Sequence, residues 1–237
     1  MKNYKKIPVV YEDEQIIVCE KPAGMPVQSD HTRDIDVQTC LKGHLFEKQE
    51  TDQEPYLTAV HRLDRPVGGL MVFARTKEAA AELSRQIQND EFEKYYQAVV
   101  CGSPDSDSGV FEDYLLKDGK TNTTKVVSKD TKGAKLAVLE YEMIDQIESG
   151  EGLLSWMLII LRTGRHHQIR VQFAERNMPL YGDTKYNPRY RKQKGKYIQL
   201  GLYSTRLAFT HPLTGERMVF KAEPRGEAFE MMDVEAY

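Results

Sequence analysis

Five runs of apolar and β-forming residues, none longer than ten positions, decide what this chain can fold into: residues 16–19 (IIVC), 70–74 (LMVFA), 94–100 (KYYQAVV), 135–144 (KLAVLEYEMI) and 153–161 (LLSWMLIIL). Runs of this length, closed by charged residues or turn formers, suit buried or half-buried strands. Helical patterns are fewer. Residues 77–89 place Ala80, Leu83 and Ile87 on one stripe behind Thr76, a residue able to cap the first turn. Residues 167–176 set Ile169 and Phe173 four apart and end at Asn177 and Pro179, and residues 36–45 read as a short helix. Near the C-terminus, residues 207–220 form two short strands around HPLTGE, whose Pro and Gly set a turn. The order of elements predicts an α+β fold with a mixed, largely antiparallel β-sheet core flanked by helices. No repeat, low-complexity tract or long linker interrupts it, so residues 1–237 read as a single domain.

A chain of 237 residues with 40% apolar and 29% charged residues can bury a sizeable core. Cys19, Cys40 and Cys101 lie far apart and are odd in number, which argues against a disulfide framework and for a reduced, cytoplasmic location. Lysines at Lys2, Lys5 and Lys6 open the chain, but Glu12, Asp13 and Glu14 break the following apolar stretch before it resembles a signal-peptide core. The net charge of −3 conceals an asymmetry. Residues 161–196 hold ten basic side chains (Arg162, Arg165, Arg170, Arg176, Lys185, Arg189, Arg191, Lys192, Lys194 and Lys196) against Glu175 and Asp183, a local +8 that leaves −11 for the rest. Either this stretch is a basic face for a polyanion or it is an ordinary solvated loop.

Two short segments concentrate reactive side chains. The first, residues 61–69 (HRLDRPVGG), is a polar, glycine-containing turn immediately before the apolar run at 70–74, so a carboxylate at Asp64 would stand on a rigid support. The plainer alternative is a surface turn in which Asp64 pairs with Arg62 or Arg65. The second, residues 161–170 (LRTGRHHQIR), puts a Thr-Gly turn and several donors at a helix start, where anions are favoured. His166 and His167 fit hydrogen bonding there better than metal ligation, because no third ligand stands at a recognisable spacing; no catalytic metal is expected.

Together with residues 10–26 (VYEDEQIIVCEKPAGMP), 94–102 (KYYQAVVCG), 163–186 (TGRHHQIRVQFAERNMPLYGDTKY) and 207–216 (LAFTHPLTGE), the 61–75 block (HRLDRPVGGLMVFAR) resembles the RluA-type family of RNA pseudouridine synthases over nearly the whole chain. HRLD followed by TGRxHQIR is highly specific. The resemblance implies that Asp64 is the catalytic aspartate, Tyr96 the active-site tyrosine and Arg165 the arginine that pairs with the aspartate. It also implies that Arg62 helps extrude the target base, and that Arg162, His167, Gln168, Arg170 and Lys185 serve substrate or RNA binding. The pattern departs from the family at Val67-Gly68, where Thr-Ser or Ala-Ser is common, and at Ser204-Thr205, where His-Ala is common; neither change removes a catalytic group. About ten residues precede the VYEDE block, so target capture is expected to rest on a single catalytic domain without a separate N-terminal RNA-binding domain.

The implied reaction isomerises uridine in ribosomal or transfer RNA. It has no net redox change and adds no external group, so no cofactor is expected. A monomer without an obligate protein partner and without a membrane is the expected state. Three other readings compete: a non-catalytic RNA-binding module, an RNA chaperone with a secondary modifying role, and a carboxylate hydrolase pairing Asp64 with Glu20, Glu91, Glu93 or Asp183.

Overall fold

The computed structural model describes residues 6–29, 32–48, 53–191 and 198–233. Lys2 and Lys5, and Lys192, Lys194 and Lys196 of the basic stretch, lie outside the described residues. In chain order the elements are β1 (Val9–Glu12), β2 (Ile16–Lys21), α1 (Val37–Lys48), β3 (Thr58–Ala59), β4 (Gly68–Ala74), α2 (Lys77–Gln88) and β5 (Glu93–Cys101). There follow β6 (Ser108–Asp118), β7 (Thr123–Val127), β8 (Lys135–Ser149), β9 (Gly152–Leu161), α3 (Gln168–Glu175), α4 (Pro188–Arg191), β10 (Leu202–Thr210), β11 (Arg217–Lys221) and α5 (Glu227–Asp233). The α+β expectation holds: strands dominate, the helices are few, and every strand pair whose register is described below is antiparallel. No helix among the described residues is long and apolar enough to cross a membrane.

The chain divides into two compact units, one formed by Met1–Glu93 with Ser204–Glu223, the other by Lys94–Tyr203 with Pro224–Tyr237. In the first unit β1 pairs with β2 and β2 with β4, in a register that sets Ile16 opposite Ala74 and Lys21 opposite Gly69. All seven residues of β4 are buried, as expected of a central strand read as a continuous apolar run. β10 lies on the other side of β4 and carries β11. Helix α2 starts where Thr76 predicts, its side-chain oxygen accepting the Ala79 amide at 3.1 Å. The helix covers Leu70, Val72 and Leu207 with Ala79 and Leu83.

In the second unit the strand order is β5-β9-β8-β6-β7. β8 runs five residues beyond the expected 135–144 and bulges between Met143 and Asp145. The hairpin β6–β7 has no counterpart in the sequence reading, because Glu112, Asp113 and Lys117 interrupt its apolar pattern and only Phe111 and Leu115 of β6 are buried. Helix α3 packs on this sheet. Phe173 meets Phe111 edge-on at 5.0 Å and Tyr141 at 6.0 Å, and Val171 packs with Leu115 and Ala137. Asn177 ends the helix in a left-handed conformation (φ 60°), as its type allows.

Gly69 shows why the start of β4 needs glycine. Its φ is +113°, and a Cβ there would lie 2.3 Å from the backbone oxygen of Ser204. Gly69→Ala is therefore expected to lower stability by about 2 kcal/mol or more, a fall in Tm of at least about 4 °C for a chain of this size. Gly119→Ala, with nothing within 4 Å of the added methyl, serves as the neutral control in the same thermal melt.

Candidate active site

The Asp64 turn is held from the side by the end of β2. Sequence places Lys21 at the last position of that strand, followed by Pro22, and the side chain is wholly buried. Its Nζ donates to the carbonyls of Pro22 (2.9 Å), Met25 (2.6 Å) and Arg65 (3.0 Å), so three acceptors meet the three N–H groups of one ammonium. The Gly24 amide donates to the same Arg65 carbonyl at 2.8 Å, and Arg65 Nε returns a bond to the Gly24 carbonyl at 3.0 Å. Arg65 follows Asp64 directly, so these bonds fix the backbone that carries the carboxylate. Burial pulls the Lys21 pKa down from 10.5 to about 7, opposed by the negative charge of Asp64 and helped by the positive charge of Arg65.

Within the turn, the Val67 amide closes onto the Asp64 carbonyl at 3.0 Å. Leu63 and Val67 are buried, Asp64 is half-buried, and Arg62 and Arg65 are exposed. The alternation anchors the loop by its apolar residues and leaves the carboxylate accessible. Arg65 ion-pairs with Asp34 at 2.5 Å. Ser204, one of the departures from the family pattern, is fully buried and donates to the Leu70 carbonyl at 3.1 Å.

The second unit holds Tyr96 and Arg165. Tyr96 is the fourth residue of β5, opposite Ile159 of β9, and is 5% exposed. Arg165 is exposed in the turn between β9 and α3, with its Nε on the Leu136 carbonyl at 2.8 Å. Gln168 shapes that turn. Its Oε1 accepts from the Arg165 amide (3.0 Å) and the Thr163 hydroxyl (2.8 Å), and its Nε2 donates to the Val138 carbonyl (3.1 Å). The family resemblance marks Gln168 as a binding residue; these side-chain bonds tie it instead to its own turn and to the neighbouring strand.

His167 and Arg170 are also turned inward. His167, in a left-handed conformation (φ 52°) at the start of α3, shares a hydrogen bond with the Tyr186 hydroxyl at 2.8 Å, and the Thr124 amide donates to that same oxygen at 2.7 Å. Arg170 forms a bidentate, buried pair with Asp183 at 2.8 and 2.7 Å. Asp183 is thereby occupied, and Glu91 and Glu93 are tied to Arg85, Arg206 and Arg217, which leaves these three poorly suited as the second acid of a hydrolase. Arg162 is exposed and pairs with Glu140 at 2.8 Å, while Lys185 Nζ donates to the Asn122 carbonyl at 2.7 Å. Among the described residues no group of three or more His, Cys, Asp or Glu side chains is disposed to hold a metal.

The order and spacing of these blocks match a known family. A model of RNA pseudouridylate synthase matches residues 15–175, which includes Asp64, Tyr96 and Arg165. The chain belongs to this family. Ribosomal large subunit pseudouridine synthase D of Neisseria meningitidis is 34% identical over 239 residues, covering 96% of this chain and 61% of the relative, so the chain spans about three-fifths of that protein's length. The dual-specificity RNA pseudouridine synthase RluA of Escherichia coli is 32% identical, covering 94% and 97%. The tRNA pseudouridine synthase C of Vibrio parahaemolyticus is 30% identical, covering 92% and 90%. Among solved structures, human RNA pseudouridylate synthase domain containing 4 aligns with a TM-score of 0.75 at 21% identity over 96% of this chain and 92% of that one, which establishes the likeness of fold.

The state of His167 carries a pH consequence. Burial, then the charges of Arg170 and His166, push its pKa from 6.5 down to about 2. The unfolded chain takes up a proton at this position below pH 6.5 and the folded chain does not, so this group's stabilisation is complete above 6.5 and is lost as pH falls towards 2. His167→Asn, which tolerates the left-handed backbone, is expected to show a shallower loss of stability between pH 7 and about pH 4 in urea titrations.

Proposed function

We propose that this chain isomerises uridine to pseudouridine in RNA, with Asp64 as catalytic carboxylate, Tyr96 and Arg165 completing the active site, and no cofactor. The observation that carries the reading is the family match across residues 15–175 together with Asp64 on a turn clamped by Lys21 and Gly24. The reaction breaks the bond between ribose C1′ and uracil N1, turns the ring and joins C1′ to C5. N1 ends protonated and the C5 proton leaves, so atoms and electrons balance without an external reagent.

An ionised carboxylate beside C1′ suits every route open to this chemistry: attack on the sugar, stabilisation of its developing positive charge, or removal of a proton. A desolvated Asp64 needs an always-charged partner, the role assigned to Arg165, and a lysine there lacks the bidentate fork. Tyr96 supplies a flat face for the uracil. Arg62, exposed two residues before Asp64, fills the space left when the nucleotide is flipped out of its stack. Arg162 and Lys185 contact phosphates. His167, Gln168 and Arg170 serve binding through the shape of the turn that carries Arg165, since their side chains are buried.

The substrate is ribosomal or transfer RNA, in keeping with relatives named for each, and the chain acts in the cytoplasm as a monomer. Residues 1–237 act as a single catalytic domain. Loop shape and splayed bases select the site, and phosphate contacts give affinity that falls steeply with salt.

The test is tritium release from [5-³H]uridine in unmodified ribosomal and transfer RNA transcripts. The native chain is expected to release label and form pseudouridine at defined positions. Asp64→Asn is expected to fall below about one-thousandth of native turnover while its RNA affinity changes less than about threefold, because a group acting only in the transition state was removed. Turnover retained by Asp64→Asn overturns the assignment.

A further inference from the structure

The Asp64 turn has a second anchor, at its opening residue. β3 pairs with β4 only at Thr58 with Ala74 and Ala59 with Phe73. The next pairing in that register would bring Val60 to Val72. Instead the chain leaves the sheet, and the Val72 amide donates to Nε2 of His61 at 3.1 Å. Val72 is wholly buried, so an unfilled amide there would be strongly unfavourable. The imidazole thus takes the position of a backbone carbonyl and ends the strand pairing without orphaning the donor.

That bond also fixes the ring's chemistry. A backbone N–H can only donate, so Nε2 carries the lone pair and the neutral ring carries its proton on Nδ1. The ring lies against Phe92 at 5.6 Å, and Phe92 stacks on Phe209 of β10 at 5.1 Å, within the core that also holds Val72 and Leu207. Three residues later comes Asp64, its far side held by Lys21 and Gly24 through Arg65. The turn is therefore pinned at both ends, by an imidazole on β4 and by an ammonium at the end of β2.

We infer that His61 is a positioning residue for Asp64: as a neutral acceptor for the Val72 amide it sets where the chain leaves β4, and with it the placement of the carboxylate. This rests on Asp64 being the catalytic carboxylate. Without the acceptor the turn is fixed only on its Lys21 side, and a displacement of about 1 Å at a reacting group lowers turnover by about 100-fold.

The experiment compares His61→Leu, which cannot accept, with His61→Gln, whose amide oxygen reaches as far as Nε2, in the tritium-release assay on the full chain. The expected result is kcat lowered about 10- to 100-fold in His61→Leu with KM for RNA within about twofold, and most of kcat restored in His61→Gln. A folded His61→Leu with native kcat, or a His61→Gln as slow as His61→Leu, overturns the inference. Asp64→Asn in the same assay separates the two claims: activity there removes the assignment of Asp64, whereas an inactive Asp64→Asn beside a fully active His61→Leu removes only the role of His61. Should His61→Leu fail to fold, ¹⁵N-histidine spectra of the native chain decide, since the inference requires the Nδ1–H tautomer at His61 and the Nε2–H tautomer overturns it.

Discussion

Three backbone carbonyls converge on the buried ammonium of Lys21, and the geometry of the Asp64 turn depends on that convergence. A charge this deeply buried is tolerated only when its donors are all used. Here they draw together Pro22, Met25 and Arg65, which are separated by up to 43 positions in sequence. The arrangement converts the local register of β2 against β4 into a fixed place for the residue before Arg65. Lys21 opposite Gly69 is the last step of that register, and Gly69, free of a Cβ, lets the Ser204 backbone approach from the side of β10. In the role proposed for Asp64, a carboxylate that meets one sugar carbon benefits from support of this kind, because the backbone itself is held rigid.

The second unit solves a similar problem with neutral groups. The Gln168 amide joins the Thr163–Arg165 turn to Val138 of β8, so the exposed guanidinium of Arg165 stands on a turn whose own polar groups are engaged within the unit. The Arg170–Asp183 pair adds a buried, bidentate link between α3 and the segment that follows it. From that segment Tyr186 reaches both His167 and the Thr124 amide of β7. The hydroxyl accepts one bond and shares another, which ties the β6–β7 hairpin to the start of α3. Burial, with the charges of Arg170 and His166, keeps His167 neutral within this tie.

Much of the fold was legible because its signals are local. The apolar run at 70–74 is a buried strand and that at 153–161 a half-buried one, Thr76 caps α2, and Asn177 ends α3. The hairpin β6–β7 was not, since its strands bury few side chains and its pairing is settled by β8, distant in sequence. The candidate site divides the same way. Asp64, Arg62 and Arg165 stand out in short motifs whose residue types suggest chemistry. Lys21 lies inside a matched block, yet nothing in the run of letters around it says that its ammonium faces inward; the only cue is its place at the end of an apolar strand, before Pro22. His61 opens the HRLD motif with no role legible in the sequence, because the amide it serves belongs to a strand eleven residues on.

His167, Gln168 and Arg170 illustrate why residue type alone misleads about contact. Each is a strong hydrogen-bonding group in a segment rich in positive charge, the usual description of a surface for phosphate. All three are buried instead: Gln168 bonds its own turn and Val138, His167 bonds Tyr186, and Arg170 bonds Asp183. A motif dense in polar residues therefore need not be a contact surface. In this chain the inward residues make a frame, and the exposed positions that alternate with them, Arg162 and Arg165, are left to meet whatever approaches. The same alternation runs through the Asp64 turn, with Leu63 and Val67 inward and Arg62 outward. In both units the candidate side chains are the ones the frame leaves exposed or half-exposed, apart from Tyr96, whose place within β5 gives it rigidity at the expense of reach.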